Sequence, residues 1–348
     1  MRAGIITGLH SFELIDVPEP TPGPGQAVVQ IKLCGICGSD VHAFVEGWHY
    51  APSICGHEWF GEVVALDPAA AGQKGGVKEG DLVMGGVAPG CGRCDYCRIN
   101  KAQYCQTSFR DYNGAGENPS PNGGFAPLLG IDARRLAIMP QGMTAVQGAL
   151  VEPASVAFHA VRQSGMRPGD SVAVVGAGPI GQLAALCARL AGAELVAVVE
   201  PDQARRDKAV SLGADVGLDG GPETRAKLRE LTGGLGVDVA IDAAGVPQTL
   251  EASIDLLRRG GTACLVGATS RPAEVRTNRW MAKEIAVRTS MVFTRDEATT
   301  VGRLIASGRL RAAELHEGTI GLDDLGATIK GMADREITAI KMTVDPTR

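Results

Sequence analysis

The chain has 348 residues, 45% of them hydrophobic and 21% charged, with a formal net charge of −5. That length exceeds one ordinary core and predicts two domains, and the composition excludes a disordered or fibrous chain. The acidic balance and the lack of any Lys/Arg-rich run argue against nucleic acid or an anionic membrane as a partner.

The first twenty residues lack the apolar core of a signal peptide. Residues 1–150 read as a strand-and-loop domain. Alternating segments at 27–33 and 61–66 are separated by Pro and Gly clusters at 18–25 and 69–76, and no long amphipathic helix stands out. Within this region, Cys34-Gly-Ile-Cys37-Gly-Ser39-Asp40-Val-His42 gathers a thiol, a hydroxyl, an acid and an imidazole. Gly56-His57-Glu58 follows, then Trp59, which reads as core packing. The loop at 44–50 carries Glu46, Trp48 and His49, candidates to contact a substrate's hydroxyls or plain surface.

Nine cysteines stand at 34, 37, 55, 91, 94, 97, 105, 187 and 264. An odd count with no export signal disfavours a disulfide framework. Cys91-x-x-Cys94-x-x-Cys97-x7-Cys105 is instead a compact four-thiolate loop, the donor set of a closed zinc site. Such a site has no open position and is structural. An iron–sulfur cluster is the alternative occupant. Cys34 and Cys55 read as small buried hydrophobes.

From about residue 153 the character changes. Strand-like runs at 171–175, 195–200, 215–218, 237–242, 262–266 and 284–292 alternate with helix-like segments at 179–191, 202–212, 222–231 and 247–258. This alternation is the signature of a parallel, doubly wound α/β sheet. The apolar stretch at 182–199 is broken by Arg189 and Glu194, so nothing reads as a bilayer span, and the cytoplasm is the expected location. Helices are expected at 296–307 and 323–332.

Gly176-Ala177-Gly178-Pro179-Ile180-Gly181 follows the first of these strands and opens a helix, which is the setting a dinucleotide-binding turn requires. The first glycine permits the turn, the second lets a pyrophosphate approach, and the third lets helix and strand pack. The helix N-terminus then offers free N–H groups to the phosphates. The second strand ends in Glu200, placed to bind a ribose 2′-hydroxyl and to repel a 2′-phosphate, so NAD is expected over NADP. Arg205 and Arg206 stand close enough to serve a phosphate instead.

Taken together, these motifs resemble the medium-chain, zinc-containing alcohol dehydrogenase superfamily, especially its polyol, threonine and butanediol dehydrogenase branches. Cys34–His42, Gly56–Glu58, the Cys91–Cys105 loop, the run from Val151-Glu152-Pro153 to Val161, and Gly176–Gly181 occur in the family's order. The later stretches at 213–215 and 237–245 extend the match.

The resemblance implies that Cys37, His57 and Glu152 hold a catalytic zinc, with Glu58 as a conditional ligand. Ser39 would touch the substrate oxygen, His42 would end a proton relay, and Asp40 would orient the zinc-bound histidine. Cys91, Cys94, Cys97 and Cys105 would hold a second, structural zinc. Glu152, where liver-type members carry cysteine, points to the polyol branch.

The implied fold is a GroES-like β-barrel catalytic domain at 1–152 and 293–348, with a Rossmann NAD-binding domain at 153–292. The implied activity is hydride transfer between a secondary alcohol, polyol or cyclitol-like substrate and NAD. Homodimers or homotetramers are implied as well, with 284–292 as a strand able to pair across a two-fold axis. Arg279 and Trp280 are candidates for the pocket or the subunit interface. Two other functions remain open: an NADPH-dependent carbonyl reductase of the same fold, and a non-catalytic zinc and dinucleotide redox sensor.

Overall fold

The computed structural model describes residues 1–47, 54–71, 76–85, 93–99, 101–107, 123–269 and 271–348. The chain divides into two units, one of Met1–Glu152, Thr294–Ala306 and His316–Arg348, the other of Pro153–Phe293 and Ser307–Leu315. Phe293 and the stretch 307–315 were expected with the first domain and group with the second. Arg311 explains part of this, because its guanidinium donates to Leu212 O at 2.6 Å.

The first unit is built on antiparallel strands. A hairpin of β1 (Arg2–Gly8) and β2 (Ser11–Asp16) stands apart. The main sheet comprises β3 (Gln26–Gly35), β4 (Glu58–Leu66), β5 (Leu82–Met84), β6 (Leu128–Asp132), β7 (Ala137–Ile138), β14 (His316–Gly321) and β15 (Lys341–Asp345). Its order is β14-β15-β3-β4-β5-β7, with β6 on β3. Thus β15, from the end of the chain, lies directly beside β3. Trp59, Phe125, Ile31, Val63 and Leu129 fill the core between these strands, and Trp59 is 2% exposed, in keeping with a packing role.

Two helices of this unit differ from the sequence reading. Helix α1 (Gly38–Glu46) arises directly from β3 and carries the Ser39–His42 motif. Helix α2 (Val151–Ser164) begins at Glu152 and its neighbour and continues into the second unit. Neither was anticipated as a helix. Most residues of α2 are buried, polar Glu152, Ser155 and His159 among them, which blurs any apolar stripe in its sequence. Helix α8 (Arg295–Ala306) and helix α9 (Leu325–Ala333) fall within two residues of the expected bounds.

The second unit carries a six-stranded parallel sheet in the order β10-β9-β8-β11-β12-β13. Its strands are β8 (Ser171–Val175), β9 (Leu195–Val199), β10 (Val216–Leu218), β11 (Val237–Asp242), β12 (Leu257–Leu265) and β13 (Ala286–Thr289). The crossovers are α3 (Pro179–Leu190), α4 (Gln203–Leu212), α5 (Thr224–Leu231), α6 (Pro247–Leu256) and α7 (Thr277–Lys283). The strand order reverses next to β8, and that switch point is where such sheets bind ligands. Helix α7 was not expected, and it shortens the last strand to Ala286–Thr289. Trp280, on α7, donates from Nε1 to Glu251 at 3.0 Å, and Arg279 meets Asp255 at 3.4 Å. Both side chains therefore dock on α6 within this unit. Among the described residues no helix is long and apolar enough to cross a membrane.

Candidate metal centre and dinucleotide turn

Cys37 is the N-cap of α1. Its backbone N–H donates to the Asp40 carboxylate at 2.9 Å, which fixes the first helical turn. Asp40 is 1% exposed, and burial raises its carboxyl above the usual range while His57 pulls it down. Its other oxygen lies 3.9 Å from His57 Nδ1. At that distance the acid acts on the imidazole electrostatically rather than through a hydrogen bond. The thiol of Cys37, a ring nitrogen of His57 and a carboxylate oxygen of Glu58 all lie within 4.8 Å of one another. A soft thiolate, an imidazole and a carboxylate converging in this way suit zinc.

Glu58 opens β4 opposite Gly35 of β3. A Cβ at Gly35 would overlap the Glu58 carboxylate, so glycine makes the space that carboxylate occupies. Lys341, at the start of β15, closes the arrangement. Its Nζ donates to Glu58 Oε2 at 2.6 Å, to Oε1 at 2.9 Å and to Ile36 O at 3.1 Å. The pair is 1% and 2% exposed. Burial pulls the ammonium down, but Glu58 and Cys37 outweigh it, and the net shift is upward. Lys341 is thus a cation in direct contact with a candidate ligand. Nothing in the local sequence marks it, because it stands 283 residues from Glu58.

Glu152 lies outside the 4.8 Å set but within electrostatic reach of His57 and Glu58. Burial pushes its carboxyl up to about 7, with His57 lowering and Glu58 raising it. A carboxyl so placed calls for a cation. Ser39 is half-buried and His42 exposed, three residues apart on α1 and so on one face. Cys34 is buried, and burial pushes its thiol well up; Cys55 is pushed up to about 12. Neither thiol is a ready metal ligand.

The second cluster is local. Cys94, Cys97 and Cys105 lie within 4.8 Å of one another, with Sγ–Sγ distances of 3.5 Å from Cys94 to Cys97 and 3.9 Å to Cys105. A tetrahedral zinc with Zn–S of about 2.3 Å places its thiolates about 3.8 Å apart, so the three thiols fit such an ion. All three stand as thiols rather than half-cystines. Cys91 lies outside the described residues, as do Trp48, His49 and Tyr50 of the candidate pocket loop. Glu46, from the same loop, is exposed.

In the second unit, Gly176 has φ +94° and closes the turn, donating to Val199 O at 2.8 Å. A Cβ at Gly181 would overlap Gly176 O, so only glycine lets α3 start this close to β8. Gly178 is the N-cap, and Pro179 and Ile180 open the helix. Glu200 is 8% exposed, and its carboxylate accepts from Ala177 N at 2.7 Å and Asp202 N at 3.1 Å. It therefore braces the glycine-rich turn from the end of β9. Arg206 is committed to Glu200 O and Pro201 O, both at 2.7 Å. Arg205 is half-buried, and its backbone carbonyl accepts from Gln182 at 2.9 Å.

Two family models match the chain: an alcohol dehydrogenase GroES-like domain over residues 23–141 and a zinc-binding dehydrogenase over residues 179–307. The chain is 33% identical to (R,R)-butanediol dehydrogenase of Bacillus subtilis, covering 99% of this chain and 100% of that protein. It is 34% identical to sorbitol dehydrogenase of Halalkalibacterium halodurans over 80% of each. Among solved structures, a Sinorhizobium meliloti protein described as a zinc-binding dehydrogenase and bound to NADP superposes with a TM-score of 0.87, at 28% identity over 99% of both chains. The GroES-like and Rossmann architecture is that of its relatives. The chain is an oxidoreductase of alcohols or polyols that uses zinc and a nicotinamide dinucleotide, and the reading as a non-catalytic sensor falls away. With both family models in place and full-length relatives of this kind, the chain belongs to the zinc-containing medium-chain alcohol dehydrogenase superfamily.

Proposed function

We propose that the chain oxidises a secondary alcohol or polyol with NAD at a zinc held by Cys37, His57 and Glu152, with Glu58 as a ligand that comes and goes. The observation that carries this reading is the convergence of Cys37, His57 and Glu58 within 4.8 Å, with Asp40 behind His57 and Lys341 behind Glu58. When bound, zinc polarises the alcohol oxygen and the nicotinamide accepts the hydride from its carbon.

The remaining work belongs to the chain. Asp40 holds the His57 ring. Lys341 retains Glu58 on the β15 side through hydrogen bonds to both carboxylate oxygens. Ser39 takes the hydroxyl proton, and His42, exposed one turn farther along α1, passes it to solvent. The reverse reaction returns the proton by the same path. A second zinc sits with Cys94, Cys97, Cys105 and Cys91, giving two per chain.

Glu200 favours NAD, since its carboxylate repels a 2′-phosphate. The NADP-bound relative favours the second cofactor, and with it the carbonyl-reductase direction. Comparing KM for NAD and NADP separates the two. Relatives that oxidise butanediol and sorbitol support a vicinal diol or polyol as substrate. A homodimer or homotetramer is the assembly we expect, and the cytoplasm the location.

The test is NADH formation over a panel of vicinal diols, sugar alcohols and cyclitols, with His42→Ala alongside. Turnover on one class, lowered in the variant, is the expected result. No NADH from any alcohol, or undiminished turnover in His42→Ala, would overturn the site assignment.

A further inference from the structure

The N-terminal edge of the parallel sheet in the second unit, opposite the glycine-rich turn, carries a pocket of about 570 Å³. It is lined where β11 and β12 begin, along α5 and where α6 ends. Arg225, Arg229, Arg258, Arg259 and Lys283 line it, and Asp255 is its only lining carboxylate. Five cations against one carboxylate leave a formal charge of +4, in a chain whose net charge is −5.

Part of this charge has a structural use. Helix C-termini favour cations. Lys283 Nζ donates to Ile254 O and Leu257 O, both at 3.0 Å, where α6 ends. Arg229 Nε donates to Gly234 O at 2.8 Å, just beyond α5. Arg258 pairs with Asp238 at 2.6 Å, and Arg259 donates to Ala282 O.

Arg225 does not fit this explanation. It stands in the first turn of α5, where the dipole disfavours a cation, and four residues before Arg229, where like charges repel. It is exposed, and no hydrogen bond or ion pair engages its guanidinium among the described residues. Burial first, and then Arg225, lower the pKa of Lys283 from its ordinary value. The cations therefore act on one another across the pocket. Guanidinium groups around a concave site present paired donors in the geometry of a phosphate group. The volume falls within the range of roughly 300–1,000 Å³ usual for small-molecule sites.

We propose that this pocket binds a small polyphosphate anion, inorganic pyrophosphate or the diphosphate group of a nucleotide, at a site separate from the glycine-rich turn. It needs no part of the preceding functional reading, since every residue involved lies between 225 and 283 and none belongs to the candidate zinc or dinucleotide motifs.

Calorimetric titration of the whole chain with sodium pyrophosphate tests it, in wild type and in the double variant R225Q/R229Q. Both side chains are exposed, so the variant keeps its core, and a cooperative unfolding transition without anion, with Tm lowered at most by the loss of the Arg229–Gly234 contact, confirms this. The glycine-rich turn is the same in both proteins, so the difference between them reports the pocket alone. NADH is present throughout to fill the turn. The expected result is one saturable site in wild type, weakened at least about tenfold in the variant, and weakened in wild type when salt rises from about 50 to about 200 mM. Equal affinity in the two proteins, or no saturable heat in wild type, would overturn the proposal. The cations would then serve only the helix ends and Asp238.

Discussion

In the Cys94–Cys105 cluster, three thiols come from a stretch of twelve residues and meet on one short helix and the turn after it. The Cys37 cluster draws on the end of β3, the start of β4, the start of α2 and the start of β15. Its groups are a thiol, an imidazole, two carboxylates and a buried ammonium. The first cluster offers donors of one kind, the set that a closed metal site requires. The second offers unlike donors, one of them already claimed by Lys341. Closed, uniform coordination holds a loop in shape, whereas mixed coordination with a ligand that has another partner leaves room for substrate.

The largest expected effect is at Cys37. Cys37→Ser removes the soft donor from the mixed cluster and should lower turnover at least about a thousandfold, while the other zinc stays. Turnover with the site empty would break the contrast between the two clusters.

Lys341→Met comes next. It strands Glu58 as a buried charge, which costs about 3–5 kcal/mol in the metal-free chain, and less with zinc present to receive the carboxylate. Activity should fall about ten- to a hundredfold. Lys341→Arg should restore part of it, and Glu58→Gln in the Lys341→Met background should restore the metal-free stability. Equal losses of stability with and without zinc would show that Lys341 is only a packing residue.

Cys97→Ser is the counterpart in the local cluster. It should lower Tm with little change in KM for the alcohol, measured well below the new Tm. A change confined to KM would reverse the assignment of the two clusters.

The smallest effect is one of pH. Burial holds the Glu152 carboxyl near 7, above its ordinary 4.5. The folded metal-free chain therefore favours the protonated form. That contribution to stability is complete below pH 4.5 and is lost as pH rises through 7. Zinc must displace the same proton below 7, so zinc affinity should fall about tenfold for each pH unit below 7 from this group alone. Glu152→Gln should remove that slope. A slope that survives the substitution would assign the proton elsewhere.

The two clusters also differ in how far the sequence shows them. Residues 91–105 display their chemistry as spacing alone, and so does the turn at Gly176–Gly181, because each is formed by contiguous residues. Cys37, His57 and Glu152 become a set only through resemblance to a family. Lys341 escapes even that. It is one lysine at the head of a C-terminal strand, and its contact with Glu58 depends on β15 lying beside β3 and β3 beside β4. Helix α2 was hidden for another reason: mostly buried, with Glu152, Ser155 and His159 taken inside, it has no clean polar face to set a period. Helix α7 was overlooked because Thr277–Lys283 is short and largely exposed. The bracing of Ala177 by Glu200 was also invisible, since the acid was legible as a ribose ligand and its hold on the turn needs coordinates.

The most direct test of the central claim is stepwise removal of metal from the wild-type enzyme with a chelator, following zinc content, Tm and oxidation of the alcohol that the substrate panel identifies. Two zinc ions per chain should leave in two phases. The first loss should abolish turnover with Tm nearly unchanged, and the second should lower Tm. A single phase, or turnover that persists after the first zinc has gone, would contradict the division of labour between the two clusters.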